Sequence, residues 1–551
     1  MLSKTGENVV PLVSSMLSCM VHRGPDGAGV VADGQIVKSN SIEMMQSQFQ
    51  KVSGKSAMGH TRLAIVGGTC GAQPFSSCDG RLVLVHNGEI YNYKEIRKKL
   101  EKRHKFNTTT DSEVIVHLLE DHHRKNSLVG AIKRTVAELD GVYALAIQDM
   151  QTGETALVRD RIGVRQLYYT DTKDLVVFAS ERKALWKIGI EEPTRRIMPG
   201  SVIIISPDGR LNSFKVADPI PPKVRIVHRT MRLAVEGYKK VLVEAMEKRT
   251  QDFKEIGIIF SGGIDSVLVA YLAAKMVPKV VCYTCGVKGS SDIANARQIA
   301  DRLDLQLKVA ELDYDSVEKL IPEVINVIED TNAGQVEVAL PVYGAVRLAH
   351  QDGIKVMLTG QGADELFGGY SWYAKVAEKE GYRKLRKHMI EDLLLLYKET
   401  LEREDKITMA HSIELREPFL DPEVIKVALG IDLRLNVKGG WDTFGKHVHR
   451  RVAQSFGIPK DIAYRIKEAA QHGSGMHDVI DTIASSRGFE ASSIPKSYLD
   501  ALRLRERIGS SQRYGHLFGD EKIWIAEPHV QMYLDSISKR LAPFEILVRV
   551  K

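Results

Sequence analysis

The stretch with the clearest chemistry is residues 256–266, which read IGIIFSGGIDS. Gly262 and Gly263 follow a short apolar run that has the length and the branched side chains of a buried parallel strand. Glycines here let the backbone approach an anion closely, and Ser261 and Ser266 add hydroxyl donors. The pattern predicts a phosphate-binding turn. The alternative is a glycine-rich turn with a capping serine and no ligand.

Asp265 opens a helix that we predict at residues 265–275. Its carboxylate would repel a bare phosphate, so we interpret it as a ligand for the Mg²⁺ that accompanies ATP. No lysine follows the glycines, whereas the common nucleotide-binding loop carries a lysine that contacts the β- and γ-phosphates. A turn without this lysine favours release of pyrophosphate, with AMP left on a substrate, over transfer of the γ-phosphate.

A second glycine-rich loop at residues 359–369 follows a predicted strand at 355–358. It contains four glycines and Asp364 and therefore mirrors the first loop. We expect Asp265 and Asp364 to bind the same Mg²⁺ from adjacent strands.

The elements around these loops alternate between strand and helix. Predicted strands lie at 280–284, 305–310 and 355–358, and predicted helices at 291–303, 314–328 and 338–350. Alternation of this kind predicts an α/β fold with a doubly wound parallel sheet, whose site lies at the carboxyl ends of the strands. From residue 371 onwards we predict mainly helices, and the tail at 510–551 is patterned like a folded segment.

The first 207 residues show short strands with few helices. Strands are predicted at 57–66, 81–86, 141–148, 154–159 and 175–179, and helices at 93–102 and 111–120. This pattern predicts a mostly antiparallel sheet. A proline-rich stretch at 216–227 indicates a linker. We therefore place one domain at 1–210, a linker at 211–230 and a second domain at 231–551.

Composition excludes several classes of protein. The 551 residues are 44% hydrophobic and 27% charged, as in an ordinary globular protein. The net charge of +7 fits an acidic ligand such as ATP, and basic runs such as 94–105 have helical spacing with interleaved glutamates. We interpret such runs as solvated helix faces, with no nucleic-acid partner. No apolar run has the length of a membrane span and no signal peptide opens the chain, so we predict no membrane partner.

The five cysteines do not form a zinc motif. Cys282 and Cys285 lie in an apolar strand without a second pair, which favours buried thiols. Cys19 is predicted in a helix, and Cys70 and Cys78 in a loop; we interpret all three as structural. Reduced thiols indicate the cytoplasm.

The second half resembles asparagine synthetase, a glutamine-dependent ligase of the pyrophosphate-loop type. The resemblance rests on residues 261–266, 359–369, 409–421 and 467–475. It implies that the side-chain carboxylate of aspartate attacks the α-phosphate of ATP, which gives an aspartyl-adenylate and pyrophosphate, and that ammonia then displaces AMP. The implied ATP-binding residues are Phe260, Ser261, Gly262, Gly263, Asp265, Ser266, Cys285, Thr359 and Gly360.

The resemblance also implies a catalytic role for Lys467, at a position where a lysine stabilises developing negative charge. Gln361 takes a catalytic position at which bacterial members have Glu, and Glu337 lies near their aspartate-binding Arg. A missing Arg removes one carboxylate clamp, so a related ligase that adenylates another carboxylate, including a lactam-forming one, stays an alternative. Arg416 and Glu414 either face phosphate or form a buried ion pair.

The first half resembles the class II glutamine amidotransferases, on residues 22–26, 59–66, 86–92, 109–113, 159–163 and 178–181. This resemblance implies an α+β four-layer sandwich. The implied glutamine-binding residues are Arg62, Val66, Asn87, Gly88, Glu89 and Asp111. Arg62 and Asp111 match residues that bind the α-carboxylate and α-amine, and Asn87 and the Gly88 N–H match the oxyanion hole. An Asn-Gly pair is by itself more typical of a hairpin turn.

The nucleophile of that family is an N-terminal cysteine, whereas this sequence opens Met1-Leu2-Ser3. By motif spacing, about eight or nine residues, which include the family's first strand, are absent ahead of His22. An α-amine can serve as the base for its own Cys side chain, so no internal cysteine can substitute. We expect no glutamine hydrolysis by this polypeptide. Two explanations of the missing cysteine stay open. Either the start codon is assigned too late, or the enzyme uses free ammonia.

Two further classes of protein have less support in the sequence. A catalytically silent binding protein is suggested only by the missing cysteine, and Asp265, Asp364 and Lys467 argue against it. A nucleic-acid-modifying enzyme with the same loop lacks an identifiable RNA-binding module. The expected partners are ATP, aspartate or a similar carboxylate, and glutamine or ammonia, with a homodimer left open as the assembly.

Overall fold

The computed structural model of the protein describes residues 1–39, 48–68, 71–221, 223–466, 469–499, 502 and 527–538. The chain divides into two compact units. Unit 1 contains residues 1–219 and 397–412, and unit 2 contains residues 220–396 and 413–551. The division at residue 219 falls inside the predicted linker, but residues 397–412, which we placed in the second domain, belong to unit 1.

The strands of unit 1 are β1 (Leu2–Ser3), β2 (Ala28–Ala32), β3 (Gln35–Ser39), β4 (Ala57–Thr61), β5 (Phe75–Ser76), β6 (Leu82–Ile90), β7 (Gly141–Asp149), β8 (Thr155–Arg159), β9 (Tyr168–Asp171), β10 (Leu175–Ala179), β11 (Arg195–Arg196), β12 (Ser201–Ile205) and β13 (Leu211–Lys215). Those of unit 2 are β14 (Glu255–Ile259), β15 (Lys279–Val287), β16 (Gln306–Leu312), β17 (Val356–Leu358) and β18 (Glu414–Arg416).

The helices in chain order are α1 (Val10–Cys19), α2 (Tyr93–Leu100), α3 (Glu113–His123), α4 (Leu128–Glu138), α5 (Arg182–Lys187), α6 (Met231–Thr250), α7 (Ile264–Met276), α8 (Ser291–Leu303), α9 (Tyr314–Ile328), α10 (Ala333–Gln351), α11 (Ala363–Phe367), α12 (Ser371–Glu380), α13 (Tyr382–Glu399), α14 (Leu401–Met409), α15 (Pro422–Leu429), α16 (His447–Ser455), α17 (Lys460–Ala463), α18 (Ala470–Gly473), α19 (Met476–Ser486) and α20 (Pro528–Ser538). Apart from residues 527–538, the patterned tail at 510–551 lies outside the described residues. Among the described helices, none is both long and apolar enough to cross a membrane.

Three antiparallel sheets form the middle of unit 1. Their strand orders are β13-β12-β8-β7-β6-β5, β1-β10-β9-β11 and β3-β2-β4. Side chains of a strand alternate between its two faces. In β6, Leu82 and Leu84 pack with α2, α3 and α4, whereas Val83 and Val85 pack with residues of the two smaller sheets. Helices α1 and α5 cover those sheets from the far side. The layers run helix, sheet, sheet, helix, which confirms the predicted sandwich.

Three segments of unit 1 differ from the sequence predictions. Asn87 and Gly88 do not form a hairpin turn, because both pair with β7 in the middle of β6. A Cβ at Gly88 would lie 2.0 Å from the Val142 oxygen, so a close pairing and not a turn requires this glycine. Residues 211–215 of the predicted linker range form β13, which pairs with β12. A two-residue strand, β1, precedes α1 and pairs with β10, although the resemblance implied that the first strand is absent.

Unit 2 contains a five-stranded parallel sheet of order β16-β15-β14-β17-β18. This confirms the predicted doubly wound sheet. The chain runs from the central strand β14 outwards to β16 and then returns to β17 on the other side of β14. Ligands of such sheets bind outside the carboxyl ends of the strands where the order reverses. Here that point lies between β14 and β17, the two strands that the glycine-rich loops follow.

Candidate functional sites

The two glycine-rich loops of unit 2 touch each other. Gly263 is the N-cap residue of α7, so no side chain at that position competes for the first N–H groups of the helix. A Cβ at Gly360, in the second loop, would lie 2.8 Å from the Asp265 Cβ and 3.0 Å from the Ser266 nitrogen. Only glycine permits this approach. Gly262 also requires glycine, because its φ is +66°.

The hydroxyls of Ser261 and Ser266 hold the first loop in shape. The Ser266 Oγ donates to the Gly263 oxygen at 3.0 Å, and the Ser261 N–H donates to the Ser266 Oγ at 3.3 Å. The two Oγ atoms are 3.3 Å apart. The turn therefore has two hydroxyls and the N-terminus of a 13-residue helix on one side, which is the arrangement expected of an anion site.

Asp265 and Asp364 share one cation in this structure, the buried ammonium of Lys446. The Lys446 Nζ lies 2.7 Å from the Asp265 Oδ2 and 2.7 Å from the Asp364 Oδ1. A Cβ at Gly369 would lie 2.0 Å from the Lys446 Cε, so the second loop needs a glycine there to admit this side chain. The two carboxylates therefore meet at one cation, although the cation here is the lysine and the shared Mg²⁺ stays a prediction. Carboxylate oxygens are ligands that Mg²⁺ takes together with waters and phosphate oxygens.

Backbone strain places Lys446 at this point. Its φ is +51°, and that of Gly445 is +55°. For a residue with a Cβ this left-handed conformation costs about 1–2 kcal/mol, and such residues cluster at functional sites. A Cβ at Gly445 would lie 2.2 Å from the Gly368 oxygen, so the segment runs directly against the second loop. Lys446 was not predicted from the sequence. Its one signal was a Gly-Lys pair immediately ahead of a helix.

A second buried side chain approaches Asp265 from α16. The His449 Nε2 lies 3.2 Å from the Asp265 Oδ1, and the His449 Nδ1 lies 2.9 Å from the Tyr238 hydroxyl oxygen. The imidazole packs among Tyr238, Phe367 and Phe419. This ring was not predicted from sequence. The imidazole contacts the Asp265 Oδ1, whereas Lys446 contacts the Asp265 Oδ2. The two partners therefore hold the carboxylate through different oxygens.

These contacts set the charge states of the site. Burial alone would raise the pKa of Asp265, but the charge of Lys446 and the neighbouring His449 lower that pKa below its usual range. Burial would lower the pKa of Lys446, and Asp265 and Asp364 raise it instead. At neutral pH the Asp265 carboxylate is therefore paired with the Lys446 ammonium.

Glu365 is a further buried acid in the second loop. Burial and the charge of Asp364 raise the pKa of Glu365 to about 7. The Tyr370 hydroxyl donates to the Glu365 Oε1 at 2.6 Å. Glu365 therefore changes charge near neutral pH, which the sequence did not indicate.

The other predicted ATP-site residues have unequal surroundings. Phe260 and Thr359 are buried directly after β14 and β17. Gln361 is half-buried in the turn between Gly360 and α11. Cys285 is buried in β15, where a Cβ at Gly344 would lie 2.3 Å from its Sγ, and burial raises the pKa of this thiol to about 12. Lys467 lies outside the described residues.

Two acidic residues near the site are paired. Glu337 is buried, and its Oε1 lies 3.2 Å from the His477 Nδ1. Burial raises the pKa of Glu337, and His477 opposes this rise. Glu414 Oε1 accepts a hydrogen bond from the Arg416 Nε at 2.6 Å, with both side chains buried. Of the two alternatives for Arg416 and Glu414, the structure shows the buried ion pair.

A cavity in unit 1 contains the predicted oxyanion residue Asn87. Its polar lining includes His60, His86 and Ser180, and the Asn87 Nδ2 donates to the Ser180 Oγ at 3.4 Å. Burial lowers the pKa of His60 to about 4 and that of His86 to about 3, so both rings are neutral at physiological pH. None of the residues that line the cavity is a cysteine. Cys70 lies outside the described residues.

Arg62 and Asp111 are both buried near this part of unit 1. The Arg62 Nη2 donates to the Val66 oxygen at 3.1 Å, and the Asp111 Oδ2 accepts the Ile90 N–H at 3.0 Å. A Cβ at Gly71 would lie 2.5 Å from both the Arg62 Nη2 and the Thr110 Cγ2, so the guanidinium lies against the segment that carries Asp111. Glu89 is buried in β6 beside Gly88.

The remaining motifs of the first half stabilise the fold. The Arg23 guanidinium donates to Glu181 and to Asp405, both at 2.9 Å, which joins two matched segments to α14. The Asp160 carboxylate accepts N–H groups of residues 162–165, and Arg159 donates to three backbone carbonyls and to the Gln166 Oε1. These side chains fix the loops that carry them.

Comparison with known proteins assigns each half to a family. Residues 46–198 match the glutamine amidotransferase domain, and residues 237–379 and 374–535 match asparagine synthase. A putative asparagine synthetase [glutamine-hydrolyzing] of Methanocaldococcus jannaschii is 34% identical over 533 residues, which cover 89% of this chain and 95% of that protein. An asparagine synthetase [glutamine-hydrolyzing] of Arabidopsis thaliana is 31% identical, over 76% of this chain and 72% of its own. A probable asparagine synthetase [glutamine-hydrolyzing] of Schizosaccharomyces pombe is 28% identical, over 82% of this chain and 80% of its own.

The variant Lys446→Met tests the charge balance of the unit 2 site. Without the ammonium, burial would raise the pKa of Asp265 above its value in the unfolded chain, so stability would fall as pH rises. We expect the loss of thermal midpoint relative to wild type, measured by circular dichroism without Mg²⁺, to be larger at pH 8 than at pH 5. Lys438→Met, at an exposed lysine, is the control. An equal loss at both pH values would contradict the assigned charges.

The variant Glu365→Gln tests the raised pKa of Glu365. The folded-state pKa of about 7 lies above the ordinary value of 4.5, so the unfolded chain releases its proton first and wild-type stability falls between these pH values. Gln removes this fall. We expect the variant to gain up to about 3 kcal/mol over wild type between pH 4.5 and pH 8 in urea unfolding. Glu423→Gln, at an exposed site, is the control and should show no gain in stability with pH. The absence of this gain in Glu365→Gln would contradict the raised pKa of Glu365.

Proposed function

Since the chain belongs to the asparagine synthetase family, we propose that it is an ATP-dependent ligase that makes asparagine from aspartate. A side-chain carboxylate oxygen of aspartate bonds to the α-phosphorus of ATP, and pyrophosphate leaves. The nitrogen of ammonia then bonds to the acyl carbon and loses a proton, and AMP leaves with the bridging oxygen. The observation that carries the proposal is the contact of Asp265 and Asp364, from loops after adjacent strands, with the single Lys446 ammonium.

We propose that the first loop binds the phosphates of ATP. The N-terminus of α7 and the hydroxyls of Ser261 and Ser266 supply donors, and the helix dipole favours an anion there. Phe260, Thr359 and Gly360 lie directly after the two adjacent strands and would contact the nucleoside. Cys285 would act through its backbone only, because its buried Sγ packs against Gly344.

We assign Mg²⁺ to Asp265 and Asp364, whose spacing fits a shared divalent cation. Bound there, Mg²⁺ would neutralise charge on the leaving pyrophosphate. Lys446 supplies a second positive charge from the chain itself. Fixed cations directed at developing negative charge are usually the largest contribution to catalysis. Lys467 remains a prediction for the charge on the adenylate.

Aspartate is the carboxylate that we propose as substrate. The relatives described above are named asparagine synthetase. The two departures, Gln361 and Glu337, lie at half-buried and buried positions, and the Glu337 charge is offset by His477. A screen of carboxylic acids for ATP-dependent pyrophosphate release would detect a different substrate.

Unit 1 is proposed as the glutamine site. Arg62 would bind the α-carboxylate and Asp111 the α-amine, while Asn87 and the Gly88 N–H would stabilise the oxyanion. Val66 and Glu89 would complete the pocket. The nucleophilic thiol is the component that the lining of the cavity does not supply. We propose glutamine as the amido donor, as the match to the glutamine amidotransferase domain and the names of the relatives indicate.

A cytoplasmic location is part of the same proposal. The four cysteines that the structure describes, Cys19, Cys78, Cys282 and Cys285, are all unbridged. Thiols persist in reducing compartments.

Product analysis tests the proposed reaction. With ATP, Mg²⁺, aspartate and ammonia we expect equimolar AMP, pyrophosphate and asparagine. Asp265→Asn and Asp364→Asn should each lower kcat by roughly 10²–10³, since each removes charge that stabilises the transition state. Asp301→Asn, at an exposed position on α8, is the matched control. Formation of ADP and phosphate in place of AMP and pyrophosphate would exclude the proposal.

A comparison of nitrogen donors tests the assignment of unit 1. In a chain that carries the family's N-terminal Cys, we expect both glutamine and ammonia to support synthesis. Arg62→Ala in that chain should abolish glutamine use while ammonia use persists, because Arg62 is proposed to bind only the α-carboxylate of glutamine. Unchanged glutamine use in Arg62→Ala would contradict the assignment of the glutamine site.

A further inference from the structure

Four metal-ligand side chains converge in unit 1, and none of them belongs to either candidate site. They are Cys78, His104, His117 and Glu120. Cys78 lies in the turn between β5 and β6, and His104 in the segment after α2. His117 and Glu120 are three residues apart on α3, which places them on the same face of that helix. Three separate segments of the chain therefore contribute to one cluster.

Four of the six distances between the ligand atoms match those of a tetrahedron around a small cation. The Cys78 Sγ lies 3.5 Å from the His104 Nδ1 and 3.6 Å from the His117 Nδ1. The Glu120 Oε2 lies 3.3 Å and 3.7 Å from the same two nitrogens. Zinc bonds of about 2.0–2.3 Å at tetrahedral angles place neighbouring ligand atoms about 3.3–3.6 Å apart. All four atoms lie within 4.8 Å of one another.

A carboxylate orients the His104 imidazole for metal binding, and a second carboxylate lies near the His117 ring. Each ring presents its Nδ1 to the cluster and its Nε2 to a carboxylate. The His104 Nε2 lies 3.0 Å from the Asp121 Oδ1, and the His117 Nε2 lies 3.7 Å from the Glu113 Oε1. Carboxylates that contact the distal nitrogen of a histidine ligand fix its tautomer and orientation.

The cluster is mostly inaccessible to solvent. His104, His117 and Glu120 are buried, and only Cys78 is exposed. The Glu120 Oε2 also accepts the Cys78 N–H at 2.8 Å, and its Oε1 accepts from the Arg124 Nη2 at 3.0 Å. Neither bond occupies the space between the four ligand atoms.

We propose that Cys78, His104, His117 and Glu120 bind one Zn²⁺. A thiolate, two imidazoles and a carboxylate are the donor types that Zn²⁺ takes, and their geometry is that of a four-coordinate site. Four protein ligands leave no position for a substrate, so the site is structural. The ion would fix the turn before β6 and the segment after α2 to α3. Asp111, the proposed ligand for the glutamine amine, lies two residues before α3 begins.

Metal analysis of the full chain, purified without a histidine tag, is the first test. We expect about one zinc per chain in wild type and in Cys19→Ser, the control at a thiol outside the cluster. Cys78→Ser should bind zinc at least tenfold more weakly in competition with a chromophoric chelator. Because Cys78 is exposed, this variant avoids the folding risk of changes at the buried histidines. Equal zinc affinity of folded wild type and Cys78→Ser would overturn the proposal.

Cobalt substitution is the second test and reports the ligands directly. After removal of zinc, Co²⁺ should give a thiolate-to-metal charge-transfer band in wild type and Cys19→Ser but not in Cys78→Ser. Circular dichroism and ammonia-dependent synthesis should be unchanged in Cys78→Ser at moderate temperature, and its thermal midpoint should fall to that of the chelated wild type. A folded, active wild type without zinc and without the cobalt band would show that the four side chains form only a hydrogen-bonded cluster.

Discussion

The contact of one lysine ammonium with two carboxylates is the constraint on which the site of unit 2 depends. Asp265 and Asp364 belong to different loops, and two buried or half-buried carboxylates at this distance repel each other unless a cation lies between them. Lys446 provides that cation, and its backbone takes the left-handed conformation that places the ammonium there. The three charges therefore determine how the loops can meet, and glycines at 360 and 369 provide the space.

The sheet makes this contact possible. In the parallel sheet of unit 2, β14 and β17 are paired neighbours, although β15 and β16 lie between them in the sequence. Loops that leave neighbouring strands at the reversal of strand order form a crevice at their carboxyl ends. The same crevice receives the N-terminus of α7, so that an anion and the cation that accompanies it have adjacent positions. In unit 1, by contrast, antiparallel pairing brings Asn87 to the wall of a cavity.

The sequence predicts those parts of the molecule that have local signals. The glycines of both loops, the apolar strands and the alternation of elements were sufficient for the parallel sheet. The Mg²⁺ shared by Asp265 and Asp364 stays a prediction, and the structure shows both carboxylates on Lys446. Lys446 was not predictable, because its partner Asp265 is 181 residues away and a single lysine resembles a surface residue. The Asn87–Gly88 pair resembles a turn until its pairing with β7 is known. The zinc-type cluster was missed because 42 residues separate Cys78 from Glu120 and only one thiol is involved.

The central claim is that the two loops hold ATP so that the carboxylate of aspartate attacks its α-phosphorus. Transfer of ¹⁸O from aspartate labelled in its side-chain carboxylate tests this claim most directly, since the oxygen that bonds to phosphorus leaves with it. The account predicts one ¹⁸O in the AMP that is released for each asparagine formed. Unlabelled AMP, or ¹⁸O in inorganic phosphate, would contradict it.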